Sequence, residues 1–188
     1  MTRIVILASG SGSNAENIIK YFKNSNLISV DYILCNKKDA KVFERAKRLK
    51  VNSLYFDREM LNNSDFVLNF LKMNADYIIL AGFLWKVPSK IIEAFPNKII
   101  NIHPALLPKY GGKGMYGMHV HNAVVSNKEM ETGITIHYVN DNYDEGAIIF
   151  QESFNVVSSY SAEDVAERIH TLEYKHFPKI IEKVILEH

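Results

Sequence analysis

An asparagine and a histidine stand two residues apart at the end of an apolar stretch, and their side chains could perform acid–base chemistry. Asn101 and His103 follow the paired isoleucines Ile99 and Ile100. Side chains two apart on a strand project from the same face, so an amide donor and a titratable imidazole are expected side by side at the strand's carboxyl end. The alternative is a strand end whose polar groups only pair with nearby backbone.

The residues after this strand favour a loop that bends around a bound molecule. Pro104 ends the strand, and Pro108 stiffens the chain that leaves it. Glycine then recurs at four positions, which are Gly111, Gly112, Gly114 and Gly117. Because glycine adopts backbone conformations that other residues avoid, this segment can follow the outline of a ligand.

A third candidate group lies in the short connection between two alternating segments, 133–139 and 146–154. A connection this short cannot carry a parallel crossover, so the two segments are expected to pair antiparallel at the end of a sheet. The connection carries the acids Asp141, Asp144 and Glu145. They are either the solvated acids of a hairpin turn, or one of them approaches His103.

A glycine-rich turn near the N-terminus has the form of an anion site. The apolar run Ile4–Ala8 leads into the turn over 9–14, and a helical pattern follows. Strand, glycine turn and helix predict the first unit of a doubly wound parallel sheet. The turn's backbone amides, with the side chains of Ser11, Ser13 and Asn14, would favour a phosphate at the helix N-terminus.

Two other interpretations of this turn stay open. A dinucleotide fingerprint would have a third glycine after Gly10 and Gly12, and Ala15 stands at that position. The acid that binds a ribose should end the second strand, whereas Asp31 lies at its beginning. We therefore favour a monophosphate over NAD, and a turn without a ligand is the remaining alternative.

Seven apolar or alternating segments are expected to be strands, and the last two form the antiparallel hairpin over 133–154. With the helical patterns between them they predict an α/β fold, a doubly wound, mostly parallel seven-stranded sheet with helices on both faces. Asp39 is expected to cap a helix over 40–50, and Phe66 to point inward from the next helix. Pro178 is expected to kink or split the last helix.

An aromatic and aliphatic loop follows the fourth predicted strand. Its residues are Phe83, Leu84, Trp85, Lys86 and Val87. The loop could wall an apolar pocket, with Trp85 stacked on a flat ring, or it could fold back onto its own core. Arg58 follows the third predicted strand near the same edge, where local sequence alone indicates a surface charge.

The composition fits a cytoplasmic protein that acts on small molecules. The 188 residues include 47% hydrophobic ones, and 22 Lys and Arg balance 21 Asp and Glu, so no basic surface for nucleic acid or membrane is expected. The single Cys35 excludes an internal disulfide and fits a reducing compartment. Residues 1–188 are expected to form a single domain, monomer or homodimer, with 186–188 as a remnant of an expression tag.

Four histidines could in principle hold a metal ion. They are His103, His119, His121 and His137. No cysteine or carboxylate stands at a metal-ligand spacing around them. We therefore expect no metal in the site.

Four segments together resemble the folate-dependent formyltransferases over essentially the whole chain. These segments are Gly10–Asn14, Ala81–Phe83, Asn101–Tyr110 and Asp141–Gly146. The resemblance implies the Rossmann-like formyltransferase fold and transfer of a formyl group to an amine from 10-formyltetrahydrofolate as cosubstrate. The leading glycine turn points to the member that formylates glycinamide ribonucleotide in purine biosynthesis.

The resemblance also implies roles for single residues. By it, Asn101, His103 and Asp144 match the catalytic positions. The matching substrate positions are Ser11, Gly12, Ser13, Asn14 and Glu173, and the formylfolate positions are Arg58, Leu84, Trp85, Lys86, Val87 and Asn101. Leu84 and Trp85 stand where the family usually has a Met-Arg pair.

The chemistry of formyl transfer accounts for these residue types independently. An amine attacks the formyl carbon, and an oxyanion develops that Asn101 can stabilise by donating a hydrogen bond. A protonated His103 can stabilise the same charge and help to move protons, and a nearby Asp144 would favour the charged imidazole. These three side chains can therefore support formyl transfer, and the reaction requires no nucleophilic serine or cysteine.

Other functions remain as alternatives. Within the family these are formylation of an amino sugar nucleotide, hydrolysis of formylfolate and, with less support because no basic surface is expected, formylation of transfer RNA. From a different class, the chain could be a phosphate-ligand binding protein without catalysis. Release of folate with and without an amine acceptor separates these functions.

Overall fold

One seven-stranded sheet forms the centre of the structure, a computed structural model that describes residues 1–187. The strands are β1 (Thr2–Ala8), β2 (Ile28–Cys35), β3 (Asn52–Tyr55), β4 (Tyr77–Leu80), β5 (Ile99–His103), β6 (Glu131–Tyr138) and β7 (Ile148–Asn155). Their order across the sheet is β3-β2-β1-β4-β5-β6-β7. The first five are parallel, and β6 pairs antiparallel with both β5 and β7. The predicted fold is confirmed.

Helices cover both faces of this sheet. They are α1 (Ser13–Phe22), α2 (Val42–Leu49), α3 (Phe66–Asn74), α4 (Ser89–Ala94), α5 (Met118–Ser126) and α6 (Ala162–Leu186), with one π-helical turn over Glu59–Asn63. The helices α1, α2, α5 and α6 share a hydrophobic core with one face, while α3 and α4 share a second core with the other. Because β1 and β4 lie between two cores, their sequences are nearly continuous apolar runs.

The ends of the chain add two observations. In the part that the structure describes, no helix is at once long and apolar enough for a membrane crossing. Of the predicted tag remnant, Leu186 ends α6 and Glu187 is its C-cap, whereas His188 lies outside the described residues.

The start of α2 differs from the sequence prediction, in which Asp39 caps a helix over 40–50. The helix begins at Val42, and the residue before it makes no capping hydrogen bond with its side chain. Instead, the Val42 N–H donates to the carbonyl of Gly10 at 3.3 Å. The glycine turn therefore satisfies the first helical N–H with its own backbone, which replaces a side-chain cap.

The inward orientation predicted for Phe66 is also wrong. Phe66 is the first residue of α3, and 43% of it is exposed. The residues that α3 buries are Val67, Leu68 and Leu71. The helical face is therefore set by the later residues, and a position at the very start of the helix stays outside the core.

Pro178 does not split the last helix, which runs without interruption from Ala162 to Leu186. A proline lacks the N–H that would bond to the carbonyl four residues earlier, in this case Tyr174. That carbonyl instead accepts a hydrogen bond of 2.9 Å from Nδ2 of Asn17 on α1. A side chain from the start of the protein thus compensates for the bond that the proline removes.

This compensation predicts a non-additive pair of substitutions. Asn17→Ala should lower the free energy of unfolding by about 0.5–1 kcal/mol, because it leaves the Tyr174 carbonyl without its partner at a partly exposed position. In a Pro178→Ala background the restored N–H can bond to that carbonyl, so Asn17→Ala should cost much less. Chemical denaturation of the four variants measures the coupling.

Asn74→Ala is the matched control for this cycle. Its Nδ2 also donates to a helix carbonyl, that of Phe70 on α3. It should cost the same free energy in both Pro178 backgrounds. An Asn17→Ala effect that is equal in the two backgrounds would contradict the proposed compensation.

Candidate active site

A cavity of ≈730 Å³ opens at the edge of the sheet where the parallel strands end. Three connections meet around it: the glycine turn after β1, the aromatic loop after β4 and the Pro/Gly loop after β5. All predicted site residues except Val87 line this cavity, namely Asn101, His103, Asp144, Ser11–Asn14, Arg58, Leu84–Lys86 and Glu173. Val87 is only 4% exposed and packs into the core under α3 and α4.

His103 lies between a backbone carbonyl and a carboxylate. Its Nε2 is 2.7 Å from the carbonyl oxygen of Tyr110, and its Nδ1 is 3.5 Å from Oδ2 of Asp144. A carbonyl can only accept, so Nε2 carries a hydrogen and Nδ1 faces the acid. The same Oδ2 of Asp144 accepts from the N–H of Gly112 at 2.9 Å. Of the three acids in the hairpin connection, Asp144 is therefore the one that approaches His103.

Asn101 is oriented by a histidine to which the sequence had given no catalytic role. Nδ1 of His137 donates to the carbonyl of Tyr138 at 2.8 Å, so its Nε2 must accept, and Nδ2 of Asn101 donates to it at 3.1 Å. Burial lowers the pKa of His137, which keeps this nitrogen free to accept. The second N–H of the Asn101 amide remains for a group in the cavity.

A sequence signal for His137 exists in the strand register. Asn101 and His137 are direct partners across the antiparallel pair of β5 and β6. Direct partners in such a pair have neighbouring side chains on the same face. A prediction that β6 pairs with β5, and not only with β7, would have placed His137 beside Asn101.

At the opposite end of the cavity, the glycine turn meets a carboxylate from α6. Oε2 of Glu173 accepts from Nδ2 of Asn14 at 2.9 Å and from Nδ1 of His170 at 3.0 Å. Glu173 is buried at 5% exposure. The hydrogen bond to Glu173 raises the pKa of His170 above its ordinary value. The site therefore presents loop amides, an asparagine and an oriented carboxylate close together.

The third wall of the cavity is aromatic. Trp85 contacts Phe56 and Phe83 edge-on, and the guanidinium of Arg58 lies 4.8 Å above the Trp85 ring. The loop that carries Trp85 is attached to β1 because Ser9 Oγ accepts from the N–H of Leu84 at 3.0 Å. Arg58 is thus part of the cavity wall and not only a surface charge.

The cavity wall contains a further buried histidine, which the sequence had indicated only as a possible metal ligand. His121 on α5 is 3% exposed, and its Nδ1 has no hydrogen-bond partner among residues 1–187. Burial lowers its pKa. Over the same residues, no three histidine, cysteine or acidic side chains converge in a way that could hold a metal ion.

This fold and this cavity define a formyl transferase. The family model described as "Formyl transferase" matches residues 2–181, and the chain belongs to that family. The chain is 34% identical over 95% of its length to "Phosphoribosylglycinamide formyltransferase, chloroplastic" from Arabidopsis thaliana. It spans only 64% of the length of that relative.

Two bacterial relatives match over nearly their whole length. "Phosphoribosylglycinamide formyltransferase" from Bacillus subtilis is 32% identical over 98% of this chain and 95% of its own. The crystal structure of phosphoribosylglycinamide formyltransferase from Bacillus halodurans is similar with a TM-score of 0.87 at 32% identity, and the match covers 98% of this chain and 95% of that one.

The contact between His170 and Glu173 predicts a measurable titration. In the native protein His170 should titrate above the ordinary histidine value of about 6.5, and Glu173→Gln should return its pKa toward that value. Since the folded-state pKa is raised, the contact stabilises the protein below about pH 6.5, and this contribution disappears as the pH rises through the folded-state pKa. NMR titration of the imidazole resonances measures both effects.

His137 is the internal control in the same spectra. Its low pKa comes from burial, and Glu173 is not among its neighbouring charges, so the Glu173→Gln substitution should leave it unchanged. If the pKa of His170 is equal in both proteins, Glu173 does not stabilise the charged form of the His170 imidazole.

Proposed function

We propose that this protein transfers a formyl group from 10-formyltetrahydrofolate to the amine of glycinamide ribonucleotide, the activity for which its relatives are named. The observation that carries the proposal is the approach of His103 to Asp144 beside Asn101, in one wall of a cavity that reaches the glycine turn. An amide donor, an imidazole and a carboxylate are the groups that this acyl transfer needs. We assign the catalytic roles to these three side chains.

In this mechanism the amine attacks the formyl carbon and negative charge develops on the formyl oxygen. Asn101 donates the N–H that His137 leaves free to this oxygen. His103 donates through Nε2 to the Tyr110 carbonyl and faces Asp144 through Nδ1. The Asp144 carboxylate favours positive charge on the ring while the oxyanion develops, and the ring moves a proton from the attacking amine to the departing folate nitrogen.

The acceptor substrate fits the end of the cavity that the glycine turn forms. The backbone and side chains of Ser11–Asn14 would hold the ribonucleotide phosphate, because loop amides at the start of α1 favour an anion. Glu173 would accept hydrogen bonds from the glycinamide ribonucleotide. Its burial and its two donors keep the carboxylate in one orientation before the substrate binds.

The formylfolate fits the aromatic wall. The loop Leu84–Lys86 offers Trp85 as a flat surface for a ring, and Arg58 on top of that ring supplies a cation for an acidic group. Val87 supports this loop from the core and is a less direct contributor. Asn101 lies where the two substrates meet.

We further propose that residues 1–188 act as a single formyltransferase domain in the cytoplasm, as a monomer or homodimer. The family match over 2–181 and the free, buried Cys35 support this proposal. The formal net charge of +1 supports small molecules, and not nucleic acid or a membrane, as its partners.

A spectroscopic assay of folate release tests the reaction. Tetrahydrofolate should appear from 10-formyltetrahydrofolate when glycinamide ribonucleotide is added, and only then. Release without any amine acceptor would identify a hydrolase, and release with an amino sugar nucleotide alone would identify a different acceptor. Binding of phosphate ligands without release under any condition would contradict catalysis.

Substitutions in the catalytic three should remove turnover and leave stability nearly unchanged. Asn101→Ala should lower kcat by about two to three orders of magnitude, the usual effect of losing one oxyanion donor. His103→Ala and Asp144→Ala should abolish or cripple turnover. Because Asp144 has a positive φ of 58°, Asp144→Asn is the variant that best preserves the backbone.

Asp141→Ala is the matched control on the same hairpin connection. Its carboxylate bonds to Ser89 Oγ and not to His103. Its turnover should remain near that of the unmodified protein, and thermal denaturation of every variant checks the fold. Unimpaired turnover in His103→Ala or Asp144→Asn would refute the role assigned to that residue.

A further inference from the structure

Three successive carbonyls of the glycine turn are each held by a different hydrogen bond. The carbonyl of Gly10 accepts from the N–H of Val42 at 3.3 Å, and that of Gly12 accepts from the N–H of Glu16 at 2.9 Å. Between them, the carbonyl of Ser11 accepts from Nε of Arg45 at 2.8 Å. The middle carbonyl is therefore the only one of the three that depends on a side chain.

These bonds fix the direction of the amides that follow. Each peptide here is trans and planar, so the N–H of the next residue points opposite to the carbonyl. With the three carbonyls turned to α1 and α2, the N–H groups of Ser11, Gly12 and Ser13 turn the other way, and no group in residues 1–187 accepts them. The turn that carries them lines the cavity.

The backbone conformation and the close packing at Gly12 exclude a larger residue at this position of the turn. Its φ is +73°, and an added Cβ would come within 2.3 Å of a methyl carbon of Val42. The turn is therefore pressed against the start of α2, one helical turn before Arg45. A shift of α2 would therefore also change the direction of the Ser11–Gly12 peptide.

A buried carboxylate holds Arg45 in place. Glu16 is 7% exposed and accepts from Nη1 of Arg45, from Nη2 of Arg48 at 2.7 Å and from Nζ of Lys20 at 2.6 Å. The hydrogen bond from Lys20, with those from the two arginines, lowers the pKa of Glu16 to about 2 despite its burial. The guanidinium of Arg45 thus bonds to Glu16 with one nitrogen and to Ser11 with another, as its planar fork allows.

We propose that Arg45 is a positioning residue for the phosphate of the acceptor substrate. It holds the Ser11 carbonyl toward α2 and so aims the Gly12 N–H into the cavity, while Glu16 fixes the guanidinium. Arg45 itself stays behind the turn and acts through the Ser11–Gly12 peptide. This inference rests on the proposed function, because it assigns the phosphate of the ribonucleotide to these amides.

Arg45→Lys is the variant that separates positioning from charge. Lysine keeps the positive charge and can still pair with Glu16, but it has no second nitrogen for the Ser11 carbonyl. We expect the KM for glycinamide ribonucleotide to rise about tenfold, as for the loss of one charge-assisted hydrogen bond, with kcat and the KM for 10-formyltetrahydrofolate within twofold of the unmodified protein. Steady-state kinetics with each substrate varied in turn measures the three constants.

Arg48→Met is the matched control. It removes a positive charge and a bond to the same Glu16 oxygen, but Arg48 has no contact with the turn. Its KM for glycinamide ribonucleotide should change by less than twofold. If Arg45→Lys and Arg48→Met raise this KM equally, or if kcat falls as much as KM rises in Arg45→Lys, the positioning role is overturned.

Binding of inorganic phosphate gives a readout that does not depend on turnover. Phosphate should shift the Gly12 amide resonance in the unmodified protein, and Arg45→Lys should weaken this binding about tenfold. If the unmodified protein binds phosphate and Arg45→Lys weakens that binding, but glycinamide ribonucleotide is not turned over, the proposed function is contradicted while the effect of Arg45 on the turn is supported. Full turnover with phosphate binding unchanged in Arg45→Lys would support the function and overturn the inference.

Discussion

The position of the His103 ring between the Tyr110 carbonyl and the Asp144 carboxylate is the constraint on which the site depends. The two partners lie on opposite nitrogens and come from different loops. The first part of the loop that carries this carbonyl is attached to the buried Thr135, whose Oγ1 accepts from the N–H of Leu107 and donates to the carbonyl of Ala105. The loop after β5 is therefore attached to β6, and the imidazole has one orientation before any substrate is present.

Because β6 joins the parallel sheet in the antiparallel direction, the two histidines of the site lie side by side but have different hydrogen-bond partners. His103 and His137 lie on neighbouring strands, and Asp144 is 3.5 Å from the first and 3.7 Å from the second. His137 is held by a backbone carbonyl on one nitrogen and an amide donor on the other, so its neutral form satisfies both contacts. His103 instead has an acceptor near each ring nitrogen, the carbonyl of Tyr110 and the carboxylate of Asp144. The register of one strand pair thus places two imidazoles side by side with different partners, one beside an amide donor and the other between two acceptors.

Much of the fold and part of the site follow from local sequence. The two-residue spacing of Asn101 and His103 predicted a shared face, and the sheet confirms that both lie at the end of β5 on the cavity side. The choice of Asp144 among three nearby acids could not be made locally, because it depends on where the hairpin connection meets the loop after β5. The same holds for His137, whose position beside Asn101 needs the pairing of β5 with β6.

The predictions for the start of α2 and for Pro178 failed because of contacts between distant parts of the chain. Local rules predicted Asp39 as the cap of α2, but the first helical N–H donates to a carbonyl of the glycine turn instead. Local rules predicted a kink or a split of α6 at Pro178, but the helix is not split, and Asn17 from α1 donates to the carbonyl that the proline leaves free. In both cases a group far away in sequence forms the hydrogen bond that the helix backbone would otherwise lack. Local helix propensity contains no information about such a group.

Three carboxylates at the cavity or directly behind it are held by donors of the protein itself, and two of them, Glu16 and Glu173, are buried. Glu16 accepts from three cations, Asp144 from the Gly112 N–H beside His103, and Glu173 from Asn14 and His170. Burying a carboxylate is costly unless it is paired and hydrogen-bonded, and removing one partner leaves part of that cost uncompensated. Because the donors come from the protein itself, the carboxylates are oriented before a ligand binds. The binding energy of the substrate is then available at the reacting centre, where preorganised dipoles and charges contribute most.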